Sequence, residues 1–299
     1  RYDTKEHKLT DECHLNTTWP GKDYYNPKIL ESGALQPFVD ALDRTEHPRM
    51  PWHDIQCLVD GKAARDVALN FIQRWNHHSS TVILPKLSAV RGDGPLNVQI
   101  VRSIDHWSGG SKLEASIHEA YKDLILTSKR YIYIENQFFI SSPIVKNEVA
   151  DCLRRRITEA VESKKRFKVY ITLPVHPEGD FEDSQSGYHV LAVMDRQFKT
   201  ISRGAMSLIE SLETELKPTY PDFKASDYIQ FFALRNWGKL YSKGVVEEMV
   251  YVHAKLMIVD DRSVIIGSAN INDRSMLGSR DSEIAAVLQG KTLIPGKMG

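Results

Sequence analysis

The sequence predicts an α/β fold with a mixed sheet flanked by helices. Three observations carry this. From Asn97 onward, short runs rich in β-branched and aromatic residues alternate with longer stretches of helical periodicity. The helical stretches carry apolar residues on one stripe. Residues 1–95 follow another pattern, largely irregular and broken by Pro and Gly, with one clear helix.

Each element can be justified in order. "WPGKDYYNP" and "HPRMPW" are turn-rich. "GKAARDVALNFIQRWNHH" places Ala64, Val67, Ala68, Phe71, Ile72 and Trp75 on one helical face. "LSAVRGDGPLN" reads as a linker, and "NVQIVRS" as the first strand after it. "SKLEASIHEAYKDLILTSKR" is a helix with Leu113, Ile117, Ala120, Tyr121 and Leu124 on its stripe. "YIYIEN" is a strand, "VKNEVADCLRRRITEAVES" a helix and "FKVYITLP" a strand. The acidic loop "HPEGDFEDSQSG", two helical stretches and the strand "YIQFFAL" follow. "HAKLMIVDDRSVIIGSAN" supplies two strands around a turn at Asp260–Ser263, and "SEIAAVL" the last one.

Bulk composition bounds the function. The 299 residues suffice for one large domain or two ordinary ones. Lys+Arg and Asp+Glu both count 39, so no global charge draws the chain to nucleic acid or anionic membrane. Any attraction to phosphate must be local. Cys13, Cys57 and Cys152 are odd in number and widely spaced, which favours a reducing compartment over a disulfide framework. No apolar run approaches the ~18–20 residues of a membrane span. The chain opens at Arg1 and stops at Gly299, and both ends read as cuts through a longer protein.

The stretch "YVHAKLMIVDDRSVIIGSANINDRS" carries the chemistry. His253 and Lys255 are two apart, so in a strand they project to one face. The chain turns at Asp260 and returns, bringing Ser268 and Asn270 back toward them. Gly267 permits close approach of backbone or ligand. Lysine supplies a fixed positive charge, and Ser268 and Asn270 neutral donors, a combination suited to phosphate oxygens. His253 can attack phosphorus or protonate a leaving oxygen, because imidazole titrates near working pH. A single buried histidine is usually a core residue, but a buried lysine beside it is costly and calls for a use. No second His, Cys or carboxylate stands at metal-ligand spacing, so the chemistry is expected to be metal-free.

"HAKLMIVD" fits the His-x-Lys-x4-Asp pattern of the phospholipase D superfamily, with "GSAN" at that family's spacing. "IYIENQFFIS", "GSANINDRSMLGSRDSE", "PRMPWHDI", "GKAARDVALNFIQRWN" and "WPGKDY" resemble its eukaryotic, phosphoinositide-dependent members. The resemblance implies a phospholipase D-like sheet, present as one full half plus a remnant of the sister half. Residues 1–95 would be the tail of the first catalytic half and a linker, and 96–299 the second half. It implies hydrolysis of phosphatidylcholine to phosphatidic acid and choline through a phosphohistidine, with a primary alcohol able to replace water. His253 then matches general acid and base; Lys255, Ser268 and Asn270 match the phosphate-holding positions. Asp260 matches the motif aspartate, expected to be structural. Glu283 is expected to accept from the other ring nitrogen of His253.

Two such motifs meet in one active site in that family, and this chain contains one. "RYDTKEHKLTD" resembles the segment just after the first motif, so the attacking histidine and the N-terminal catalytic half are expected outside this sequence, and the chain alone to be inactive or very weak. Glu135, Asn136 and Gln137 end a strand where substrate is commonly met, and Trp107 in "RSIDHWS" can face a quaternary ammonium by cation–π contact or pack in the core. The resemblance further implies phosphoinositide as activator, with Arg65 and Arg74 as its basic patch. It implies small GTPases and kinases as regulators, no nucleic-acid partner and no cofactor for the chemistry. It places the protein in the cytoplasm, peripheral on intracellular membranes. "RRR" at Arg154–Arg156 and "KKRFK" at Lys164–Lys168 are basic runs open to anionic lipid or plain solvation. Two rival readings stay open: another phosphodiesterase or phosphatidyltransferase of the superfamily, and a non-catalytic phosphate- or lipid-binding protein.

Overall fold

The protein is described from a computed structural model, which covers residues 43, 46–83, 94, 96–179, 186–240 and 244–290. The readings at residues 1–42, the linker at 84–93 and the loop at 180–185 lie outside the described residues.

An eight-stranded mixed sheet organises the chain. Its strands are β2 (Leu96–Ile104), β3 (Glu114–Ala115), β4 (Tyr131–Glu135), β5 (Lys168–Thr172), β6 (Ile229–Phe232), β10 (Leu256–Val259), β11 (Ser263–Gly267) and β12 (Glu283–Gly290). They lie in the order β3-β2-β12-β11-β10-β4-β5-β6. β4, β5 and β6 run parallel. β10 pairs antiparallel with β4, and from there to β3 every pairing is antiparallel. Register sets which ends coincide. Leu256 sits opposite Glu135, Gly267 opposite Ala285, and Glu283 opposite Ser103. The C-terminal ends of β2, β4 and β11 and the N-terminal ends of β10 and β12 therefore share one sheet edge.

Alternation along the strands gives the sheet two apolar faces. On one face Ile132, Ile134, Val169, Ile171, Met257 and Ile265 pack with helices α3 (Ser116–Thr127), α4 (Val149–Glu162) and α6 (Leu208–Leu216). Ile117, Tyr121 and Leu124 of the expected α3 stripe are buried there, whereas Leu113 precedes the helix and is exposed. Each fully buried Ile or Leu contributes about 1.5–3 kcal/mol relative to exposure. On the other face a small cluster of Leu256, Ile266 and Ala286 is flanked by half-buried Ile100, Tyr133, Ile258, Val264 and Leu288. Only Ile55, among the described residues of that cluster, comes from outside the sheet.

The run at Arg154–Arg156 is largely spent inside the fold, whereas Lys164, Lys165, Arg166 and Lys168 of the second basic run are exposed. Arg156 is buried, donating from Nε to the Ser128 carbonyl at 2.6 Å with its guanidinium over the Phe167 ring. Arg154 pairs with Asp151 and Glu215. Arg155 alone of "RRR" is exposed and, among the described residues, forms no salt bridge of this kind.

Three features depart from the sequence reading. Helix α1 (Gly61–His78) forms as expected, but its apolar stripe is not buried among the described residues: Val67, Phe71 and Trp75 are exposed and Ala63 is its buried residue. A separate hairpin, β7 (Arg235–Leu240) with β8 (Gly244–Met249), stands before the motif. Short parallel strands β1 (Trp52–His53) and β9 (Tyr251–Val252) join the early segment to the motif, in the register Trp52–Tyr251 and His53–Val252.

Candidate active site

The shared sheet edge gathers the expected residues. Strand β9 ends at Val252, the backbone leaves the ladder over 253–255, and β10 begins at Leu256. His253 and Lys255 thus sit at the mouth of the sheet rather than within a strand. The His253 amide still donates to the His53 carbonyl at 2.8 Å, which pins the backbone to β1. The Lys255 ammonium is buried and donates to Gln137 Oε1 at 3.1 Å and to the His253 carbonyl. Burial pulls its pKa from the usual 10.5 to about 8, against the attraction of Asp54, Glu283 and Glu178.

Asp54 supplies what the motif alone lacks. Its Oδ2 accepts from His253 Nδ1 at 2.9 Å. Burial would raise the Asp54 pKa, but hydrogen bonds from His253, the Ile55 amide and Trp52 outweigh it and hold the carboxyl below its ordinary value. With Nδ1–H directed at a carboxylate, Nε2 is the ring nitrogen left to exchange a proton with substrate.

This replaces the expected partner. Glu283 does not take the His253 ring nitrogen; its Oε2 accepts from Ser268 Oγ at 2.5 Å and its Oε1 from Ser275 Oγ at 2.6 Å. Glu283 opens β12, two strands from β10, whereas Asp54 follows the strand that pairs directly with β9. Burial raises the Glu283 pKa, with Asp281 adding to it and the two serine hydroxyls opposing. Ser268 follows β11, and its backbone and hydroxyl both bond to Ile284. Among the described residues, Asn270 Oδ1 is buried without a hydrogen-bond partner, an unsatisfied polar atom within the cluster's own loop. Gly267 has a structural explanation: a Cβ there would overlap the Ile284 carbonyl and the Ala285 side chain of β12.

Other expected residues divide. Asp260, at positive φ in the β10–β11 turn, accepts from the amides of Lys129, Arg130 and Tyr131 at 2.6, 2.7 and 2.9 Å, at the far edge of the sheet. Gln137 joins the site through Lys255 and also donates to the Tyr251 hydroxyl. Asn136 is fully buried and its Oδ1 accepts from the amides of Phe138 and Ile271, so its side chain is committed to loop structure rather than substrate contact. Glu135 binds His53 Nε2 at 2.8 Å and the Tyr133 hydroxyl at 2.6 Å, forming a second His–carboxylate pair. Trp107 is half-exposed, its indole donating to the Ser279 carbonyl. Arg65 is exposed, whereas Arg74 Nε points to the Ser108 carbonyl, beside His77, His78 and Gln73, which bond carbonyls of the same short helix α2 (His106–Gly109). Sequence reasoning did not single out Trp52, His53 or Asp54. Their signal was the quoted "PRMPWHDI", but no spacing rule links Asp54 to a histidine 199 residues away.

Among the described residues, no group of three or more His, Cys, Asp or Glu is placed to hold a metal ion, and no helix is long and apolar enough to cross a membrane.

Imidazole backed by a carboxylate, a buried ammonium, a hydroxyl and a carboxamide at one sheet edge are the equipment of a phosphate-handling α/β protein. The model of the family described as Phospholipase D matches residues 1–248 and 242–291, and the chain belongs to that family. It is 44% identical over 297 residues to Phospholipase D A of Dictyostelium discoideum, covering 97% of this chain and 22% of that protein. It is 45% identical over 312 residues to Phospholipase D1 of Mus musculus, covering 96% of this chain and 28% of that protein. With Phospholipase D1 of Saccharomyces cerevisiae it shares 39% identity over 330 residues, 100% of this chain and 19% of that protein. The chain thus spans between 19% and 28% of the length of these relatives.

Proposed function

We propose that this chain carries one half of the active site of a phospholipase D that hydrolyses phosphatidylcholine to phosphatidic acid and choline. The observation that carries the reading is the His253–Asp54 pair set beside the buried Lys255. A histidine from the preceding part of a longer protein attacks phosphorus. As the phosphorus–choline oxygen bond breaks, His253 Nε2 gives its proton to that oxygen. Choline leaves and a phosphohistidine remains. His253, now neutral, takes a proton from water, or from a primary alcohol, as that oxygen attacks phosphorus and frees the first histidine. Asp54 holds the ring in the Nδ1–H tautomer and stabilises the imidazolium. Lys255 and Asn270 hold the non-bridging oxygens, with the Ser268 hydroxyl beside them. No metal or cofactor takes part.

The first catalytic half would cover the partly buried face around Leu256, Ile266 and Ala286 and the exposed stripe of α1. The protein would work in the cytoplasm, peripheral on intracellular membranes, activated by phosphoinositide and regulated by small GTPases and kinases. Arg65 fits an anionic headgroup better than Arg74, whose guanidinium already meets a carbonyl. The test is choline release from phosphatidylcholine vesicles by a longer protein that includes the preceding sequence. His253→Ala should abolish turnover while leaving the protein folded. Retention of full activity by that variant would refute the assignment.

A further inference from the structure

Beside the reacting ring lies a side chain to which the mechanism gives no part. Trp52 and Asp54 are two apart, so they share a face of the extended segment. The parallel register of β1 with β9 sets Trp52 against Tyr251, one alternation before His253. The indole and imidazole centroids lie 4.6 Å apart with a 36° tilt, and the indole is 5.2 Å from the Tyr251 ring. Trp52 Nε1 also donates to Asp54 Oδ2 at 3.3 Å, the same oxygen that takes His253 Nδ1–H. Asp54 Oδ1 meanwhile accepts from the Ile55 amide at 2.9 Å.

Those contacts remove two freedoms. An imidazole held by one hydrogen bond can still rotate about its side-chain bonds and trade tautomers. A flat indole against one face restricts ring rotation. A carboxylate with both oxygens engaged cannot swing away from Nδ1–H. We propose that Trp52 is a positioning residue for His253, its ring face fixing the imidazole plane and its N–H fixing the carboxylate that orients it. This rests on the reading of His253 as the site's acid and base, but its first test does not need turnover.

Nitrogen-15 and proton spectra of the 299-residue chain report the His253 tautomer and its Nδ1–H resonance. Expected is a single Nδ1–H tautomer with a downfield, slowly exchanging proton in the wild type, and in Trp52→Phe, which keeps a ring face but lacks the N–H, the same tautomer with a faster-exchanging proton. In Trp52→Ala the resonance should broaden or vanish and both tautomers appear. Asp54→Asn is the control that must lose the signal. Asp54, which holds Nδ1–H, and Lys255, which donates to the His253 carbonyl, stay in place in both Trp52 variants. A folded Trp52→Ala chain that keeps the wild-type tautomer and resonance overturns the proposal. In the longer protein, Trp52→Ala should lower kcat about 10–100-fold with KM within about twofold, since misplacement of a reacting group acts on the chemical step, and Trp52→Phe should recover most of it. Equal kcat in all three would also overturn it. Absence of choline release from the wild-type longer protein would count against the proposed function alone and leave the spectroscopic result standing.

Discussion

Lys255 shows the tension between folding and use. Its ammonium is buried with one side-chain acceptor and one carbonyl, and burial brings its pKa down to about 8. The charged form is therefore less stable in the folded chain than in the unfolded one. Below about pH 8 the full penalty is present; between about 8 and the ordinary 10.5 the folded chain alone has lost its proton, so stability rises with pH across that window. Lys255→Met should accordingly stabilise the chain by about 2 kcal/mol near pH 7, with the gain gone by about pH 10.5, as urea unfolding at several pH values would show. The same variant should lose affinity for phosphate analogues. In the wild type that affinity should fall as pH rises through about 8, because the cation itself is lost. A titration calorimetry series flat across this range would contradict the role. His253, Lys255, Ser268 and Asn270 were legible in the sequence because two adjoining strands and a turn place them locally; Glu283 was expected on the last strand, but its partners are Ser268 and Ser275 rather than His253. Asp54 was not, since its contact is made only when β1 pairs with β9.

At the scale of elements, the most readable strands were those whose apolar residues run nearly without interruption, with one face buried and the other half-buried. β4, β5, β10, β11 and β12 are of this kind. β1 has two residues, and β7 and β8 form a ribbon whose "RNWGKL" and "GVVEEM" give no clean alternation. Helix α1 was legible as a helix from its periodicity, but periodicity does not say what covers the stripe. Two joints can be tested. Asp260 gathers three backbone amides from the start of β4, so Asp260→Ala leaves all three without that acceptor and should cost about 2–3 kcal/mol in unfolding free energy. Gly267→Val should cost at least as much, on the order of 2–4 kcal/mol, because its side chain meets the backbone of β12. Unfolding free energies within about 0.5 kcal/mol of wild type for either variant, the range of a neutral surface change, would sink that account.

Across the whole molecule, one edge of one sheet holds a histidine with its carboxylate, a cation and two neutral polar groups, but one histidine of the two that the proposed reaction needs. Glu283, half-buried and held by two serines, is a carboxylate with no histidine of its own among the described residues. The sheet face around Leu256, Ile266 and Ala286 is only partly covered. Both features fit a chain that spans a minority of its relatives' length. The central claim, that this chain supplies the acid–base half of a two-histidine site, is tested most directly by measuring choline release from phosphatidylcholine vesicles by two proteins side by side. One is the purified 299-residue chain, and the other is a longer protein that adds the preceding sequence. The account predicts turnover by the longer protein, lost in His253→Ala, and none above background by the chain alone. Turnover by the 299-residue chain that disappears in its own His253→Ala variant would contradict it.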